Sequence, residues 1–379
     1  MKIATKLIHH PGSVCPHTGA MSTPIYQVST FRRTSLAQKA EYDYSRSGNP
    51  TRDVLEQYIA TLEDGQYGFA FSSGMAAIST CLMLLKSGDH VVATEGLYGG
   101  TYRVLTGLFP QFGIESSFVD TGDLAAVEEA LRDNTRAILV ETPSNPMMKI
   151  TDLAKLAEIS RGKDIIFMVD NTFMSPYLQR PLEMGVDIVI HSATKYLGGH
   201  SDLIAGLVVL TDKAIAKKVK FRQNAVGAVP SPLDCWLLIR GMKTLKARMS
   251  VQQESARRIV EWLRDRDEVE QVLYPELETH QRGDIHRRQA SGGGAMVSFV
   301  VRNEGVAERI LNGGKLWSLA VSLGSVESII TLPARMTHLS YPAELRERLG
   351  IDDRLIRLSV GLEDTEDLID DLARCMGKP

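Results

Sequence analysis

Two runs, Ala137-Ile138-Leu139-Val140 and Ile165-Ile166-Phe167-Met168-Val169, are apolar from end to end, and they limit the fold more than any other feature. A strand with one face in water alternates polar and apolar side chains. An unbroken apolar run of this length suits a strand covered on both faces. Helical spacing separates these runs from others like them. Residues 54–63 read as a helix before the apolar run 68–71, and helix-like 76–86 leads to strand-like 90–94. Helix-like 102–109, strand-like 117–120, a helix at 124–132 and the strand 137–141 follow. Next come a helix at 153–159, the strand 165–169 and apolar 187–190. Such alternation predicts an α/β fold with a mostly parallel sheet and helices on both faces.

The flanks differ. Residues 1–48 read as an arm, with Pro11, Gly12, Pro16, Gly19 and Pro24 and no sustained helical period. Its apolar Ile25, Tyr26, Val28 and Phe31 are expected to lie on another surface, a neighbouring subunit being one candidate. Pro230-Ser231-Pro232 breaks the chain before a long helical pattern at 233–264, read as one helix or two. Strand-like 295–301 and 355–360, helix-like 306–311 and a closing helix at 364–376 complete it. The chain therefore divides into the arm, a main domain at 49–233 and a smaller C-terminal α/β domain at 234–379.

Composition narrows the function. The net charge of −3 disfavours a nucleic-acid binder, which carries a basic excess. No run reaches the ~18 apolar residues of a membrane helix, and Met1 to His10 lack the apolar core of an export signal. Cys15, Cys81, Cys235 and Cys375 lie far apart, which suits a reducing, cytoplasmic setting. His9, His10, Cys15 and His17 match no common metal spacing, so no metal is expected.

Three strings carry chemistry. His191-Ser192-Ala193-Thr194-Lys195-Tyr196-Leu197-Gly198-Gly199 places a lysine between hydroxyls and a glycine pair, just after a buried strand. A desolvated amine there is nucleophilic and suits a Schiff base, although a strand-end lysine that merely reaches solvent fits the string as well. Val169-Asp170-Asn171-Thr172 sets a carboxylate at another strand end, either an anion beside a pyridine nitrogen or a helix cap. Ser72-Ser73-Gly74-Met75-Ala76-Ala77 joins a strand to a helix, with small residues that admit a phosphate or an ordinary serine cap. A Walker A loop and a Gly-x-Gly-x-x-Gly turn after a strand are both absent, which leaves nucleotide chemistry without support.

Taken with Tyr44-Ser45-Arg46-Ser47-Gly48-Asn49-Pro50-Thr51, Tyr98-Gly99-Gly100-Thr101, Glu141-Thr142-Pro143-Ser144-Asn145-Pro146 and Arg357-Leu358-Ser359-Val360-Gly361, these strings resemble the Cys/Met-metabolism family of pyridoxal-phosphate enzymes. The resemblance runs nearly end to end. It implies the fold type I, aminotransferase-like architecture and pyridoxal 5'-phosphate as cofactor. Lys195 would carry the cofactor and later move protons, Asp170 would pair with its ring nitrogen, and Tyr98 would stack on the ring. Gly74 and Met75 would offer amides, and Ser192 and Thr194 hydroxyls, to the phosphate. Tyr44 and Arg46 would reach a neighbouring subunit's cofactor, so a homo-oligomer is expected, a tetramer built of catalytic dimers. Asn145 and Arg357 would hold the substrate carboxylate, and Val321 and Ser322 would line the same pocket.

The family's reactions differ by few side chains. In the family, cystathionine γ-lyases and cystathionine γ-synthases typically have glutamate where Val321 stands. Methionine γ-lyases typically have cysteine where Gly100 stands, and a Lys-Asp pattern where this chain has Gln223-Asn224-Ala225-Val226-Gly227. The resulting expectation is a carbon–sulfur lyase that cleaves cystathionine by β-elimination. Cystathionine γ-lyase or methionine γ-lyase is the alternative, followed by cystathionine γ-synthase. A non-catalytic binding protein is disfavoured because Lys195, Asp170 and Arg357 are all present.

Overall fold

The computed structural model describes residues 1–37 and 40–377. Seven strands form the larger sheet: β1 (Tyr67–Phe71), β2 (His90–Thr94), β3 (Glu115–Val119), β4 (Thr135–Glu141), β5 (Ile166–Asp170), β6 (Ile188–Ser192) and β7 (Gly206–Leu210). Their order is β1-β7-β6-β5-β4-β2-β3. From β6 to β3 all neighbours are parallel, while β7 runs antiparallel to both β6 and β1. The sheet is therefore mixed and mostly parallel.

The apolar runs behave as double-sided strands. Ala137, Leu139 and Met168 pack into one apolar cluster, while Ile138, Val140, Phe167 and Val169 pack into another on the opposite face. Successive side chains of a strand point to opposite faces, so an all-apolar run loads both layers. The helices α1 (Pro50–Leu62) and α2 (Gly74–Leu82) start at well-formed caps. Asn49 accepts from the Thr51 and Arg52 amides, and Ser73 accepts from the Ala76 amide.

In this half of the chain β7, which lies between β1 and β6, and the helix α3 (Lys213–Val226) occupy residues to which the sequence patterns above assign nothing. Leu207-Val208-Val209-Leu210 has the same all-apolar signature as the central strands. The predicted helix 102–109 is instead a short helix, Gly99–Arg103, running into a wider turn at Val104–Leu108.

The pattern at 233–264 resolves into two helices, α4 (Pro232–Met242) and α5 (Leu245–Arg264). Beyond them lies a five-stranded sheet of β8 (Val269–Leu273), β9 (Met296–Val301), β10 (Ser318–Leu319), β11 (Ile329–Thr331) and β12 (Leu355–Ser359). Its order is β10-β11-β12-β9-β8, antiparallel except for β10 with β11. One apolar cluster links the two sheets: Ile59 of α1 and Val209 of β7 belong to it together with Ile259 of α5, Phe299 of β9 and Leu358 of β12. Interiors packed to crystal-like density transmit position, so β12 is held in register with the strand ends of the larger sheet.

In the arm, Ile25, Tyr26 and Val28 are exposed, while Phe31 is partly covered by Tyr42, with ring centroids 5.4 Å apart. No helix among the described residues is long and apolar enough to cross a membrane.

Candidate active site

Parallel strands deliver their C-terminal ends to one edge of a sheet, and ligand crevices form there. At this edge a cleft of about 430 Å³ is lined by Tyr98, Glu141, Asn145, Asp170, Lys195, Val321, Ser322 and Arg357. Each large-domain residue follows or ends a strand: Tyr98 after β2, Glu141 at the tip of β4 and Asn145 just beyond it, Asp170 at the tip of β5, Lys195 after β6. Val321, Ser322 and Arg357 come from the smaller sheet and cover the cleft from the other side.

The Lys195 Nζ donates to the Ser322 Oγ at 2.6 Å. Burial, assisted by the Arg357 guanidinium, pulls this amine down to about 8. Ser322 sits at φ +102°, a left-handed conformation that costs a serine energy and is held by its surroundings. Its carbonyl accepts from the Arg357 Nη2 at 2.8 Å.

Arg357 is almost wholly buried. Its Nη1 donates to the Asn145 Oδ1 at 2.8 Å, and Nη2 also reaches the Thr331 hydroxyl at 3.3 Å. Its Nε has no acceptor, and no carboxylate pairs with the guanidinium among the described residues. Burial pulls it down to about 10. A desolvated cation without an anion is costly, so this arrangement is built to receive a carboxylate.

Asp170 accepts from the Thr172 amide at 3.0 Å, and its register partner across the parallel ladder is Glu141. Burial, above all, raises both carboxyl groups.

Beside this cleft lies the N-terminus of α2. The Ser73 cap engages the Ala76 amide, and the Gly74 and Met75 amides have no acceptor among the described residues. A Cβ on Gly74 would lie 2.8 Å from the Ser192 Cβ, so only glycine allows α2 to approach β6 this closely. Thr194 exchanges bonds with Ala205, accepting its amide at 3.0 Å.

Tyr44 and Arg46 are not brought to Lys195. They line a separate cleft of about 200 Å³ with Val28, Asn49 and Gly227, and Arg46 donates to the Asn224 carbonyl at 2.6 Å.

Three features of the site lie beyond what the sequence motifs pointed to. Glu141 has the same strand-end signal as Asp170. Arg103 lies one helical turn past Tyr98, at the rim of the cleft, exposed and without a partner among the described residues. The irregular segment 336–341, which lines the cleft with Met336, Thr337, Leu339 and Ser340, carries no periodic signal.

Residues 4–377 match the Cys/Met metabolism PLP-dependent enzyme family. The chain belongs to that family. Relatives it resembles include proteins named cystathionine gamma-lyase and cystathionine beta-lyase. A cystathionine gamma-lyase of Bacillus subtilis is 49% identical over 376 residues, 99% of each chain. A cystathionine beta-lyase of Lactococcus lactis subsp. cremoris is 47% identical over 376 residues, again 99% of each. Among solved structures, a cystathionine gamma-lyase from Lactobacillus plantarum complexed with L-serine is 46% identical. Its TM-score is 0.97, with 99% of this chain and 98% of that one covered.

The enzyme's cofactor is therefore pyridoxal phosphate, and the side chains present suit it. The open amides stand at a helix start, where an anion is stabilised, and the Ser192 side chain packs against Gly74 there, while the Thr194 hydroxyl lies between the amide and carbonyl of Ala205. A nucleophilic amine and a buried carboxylate share the adjoining cleft. The lowered Lys195 sets a pH dependence. Half the amines are neutral near pH 8, and below that the neutral fraction falls about tenfold per pH unit. Capture of pyridoxal phosphate by the apoprotein, followed by absorbance, is expected to quicken with pH, reach half its plateau near pH 8 and level off about one unit above that. A rate still climbing at pH 10 would return Lys195 to its ordinary value.

Proposed function

We propose that the enzyme cleaves L-cystathionine by β-elimination with uptake of one water, giving homocysteine, pyruvate and ammonia. The observation that carries this reading is the convergence of Lys195, Asp170 and the anion-seeking Arg357 on one cleft. When bound, pyridoxal phosphate supplies the sink for the electron pair left at the substrate Cα. Arg357 and Asn145 hold the substrate carboxylate, which fixes the amino acid by its invariant end. Lys195 takes the Cα proton, and the sulfur leaves from Cβ with a proton returned by Lys195 or by Tyr98. Asp170 keeps the cofactor's ring nitrogen protonated, and Gly74, Met75, Ser192 and Thr194 anchor the phosphate. Tyr44 and Arg46 serve a neighbouring subunit's site in a homo-oligomer built of catalytic dimers. Their distance from Lys195 within the chain and the exposed apolar Ile25, Tyr26 and Val28 beside them support this.

The distal half of the substrate decides the regiochemistry. Val321 is 60% exposed at the mouth of the cleft and offers no bond to a distal amino group. The unpartnered Arg103 on the same rim matches a distal carboxylate. Position 100 argues against the cysteine of methionine γ-lyases. A Cβ there would lie 2.5 Å from the Tyr98 ring and 2.8 Å from the Met75 sulfur, so a side chain would displace the tyrosine.

A second reading, γ-elimination to cysteine and 2-oxobutyrate, is favoured by the name of the 49% identical relative. Incubation of the holoenzyme with L-cystathionine separates the two by the keto acid and thiol formed. Pyruvate with homocysteine is expected. The Val321→Glu variant is expected to raise the proportion of cysteine among the thiols. An unchanged ratio would remove Val321 from control of the reaction.

A further inference from the structure

Glu141 is buried, ionisable and outside every role assigned above. It ends β4 and uses both carboxylate oxygens on backbone amides of two different loops. Oε2 accepts from the Tyr98 amide at 3.0 Å, and Oε1 accepts from the Asn145 amide at 2.7 Å. These are the residues at the ring-facing and carboxylate-facing sides of the cleft. Asn145 is in turn fixed at its other polar atoms: its Oδ1 accepts from Arg357, and its carbonyl lies 3.1 Å from the His338 Nε2. The Tyr98 loop has a second tether, since the Tyr341 hydroxyl donates to the Leu97 carbonyl at 2.8 Å and Ser340 donates to the Gly99 carbonyl at 3.0 Å. Without Glu141, the Tyr98 and Asn145 amides would lose the acceptors they have, and the Asn145 amide is buried.

We infer that Glu141 is a positioning residue whose single carboxylate ties the Tyr98 loop to the Asn145–Arg357 clamp, so that one group sets both the seating of the cofactor ring and the binding of the substrate carboxylate. The chemistry of the side chain makes the point testable. The two amides meet two different side-chain oxygens, and the Glu141 carboxyl group supplies both. Glutamine keeps the length but offers one oxygen, and its NH₂ would face the other N–H. Aspartate keeps both oxygens on a shorter stem and reaches at most one loop at the present distances. Either change therefore loosens one side of the site.

The inference rests on the roles proposed above for Tyr98 and Asn145, and the experiment separates its failure from theirs. Holoenzymes of the wild type, Glu141→Gln and Glu141→Asp are compared for kcat and KM with L-cystathionine, for circular dichroism of the bound cofactor's absorption band, and for melting temperature. Glu141→Gln is expected to raise KM about tenfold, and to change the dichroic band as the Tyr98 ring shifts. Normal KM and an unchanged band overturn the inference, whether or not the melting temperature falls, because a merely structural acceptor moves stability alone. If Glu141→Gln yields no folded holoenzyme, Glu141→Asp takes its place: a raised KM with a changed band supports the inference, and normal values of both overturn it. A wild type that leaves cystathionine intact defeats the proposed reaction. The dichroic comparison still decides the role of Glu141, because it does not depend on which thioether is cleaved.

Discussion

Lys195→Ala is expected to lower kcat/KM for carbon–sulfur cleavage by on the order of 10⁴-fold or more. Its amine is the one primary amine that the described residues place in a cleft that also holds Asp170 and Arg357, and burial keeps a large share of it neutral near pH 8. On the proposed roles, the change removes both the covalent hold on the cofactor and the base that takes the Cα proton. It leaves the fold alone, because the Lys195 side chain projects into the cleft and bonds only the Ser322 hydroxyl. The phosphate-facing groups at the start of α2 remain, so pyridoxal phosphate is still expected to bind, now reversibly. Desalting should strip cofactor from the variant and not from the wild type, and turnover should be lost in both loaded and stripped protein. A variant within about tenfold of wild-type activity would take the central role away from Lys195.

Arg357→Ala is expected to raise KM for the amino-acid substrate by about 100-fold or more. This magnitude follows from losing a bidentate charge-assisted pair, with each bond worth ~1.5–3 kcal/mol. The loss also leaves the Asn145 Oδ1 and the Ser322 carbonyl without their donors. Arg357→Lys should recover only part of this. A lysine is a point charge on a flexible stem and does not span the Asn145 and Ser322 oxygens with one planar fork while presenting another face to substrate. The check is a KM series with wild type, Arg357→Lys and Arg357→Ala on one substrate. Equal KM values across the series would show that the carboxylate is bound elsewhere.

The strand ends are legible in the chain itself because they are local. Apolar runs such as 165–169 announce buried parallel strands, and the residue that follows each run then lies on the ligand-bearing edge. Asp170, Lys195 and the glycine-led start of α2 follow from that rule, and Glu141 follows from applying it once more at the end of β4. The β7 strand carries the same signal in the unbroken apolar stretch from Leu207 to Leu210.

What lies across the cleft depends on the tertiary structure. Arg357 and Asn145 are 212 residues apart, and nothing in the sequence around Arg357 says that its guanidinium has no carboxylate partner. That fact depends on how the smaller sheet packs over the larger one. The left-handed Ser322, the rim position of Arg103 and the irregular segment 336–341 are likewise decided by contacts between elements far apart in the chain. The sequence by itself determined most strands of the larger sheet, the edge where chemistry occurs and the residue types that reach it, because each is set by neighbours within a few positions. Only the tertiary structure decided which of them meet, because burial and the absence of a partner are properties of the packed molecule and not of any segment.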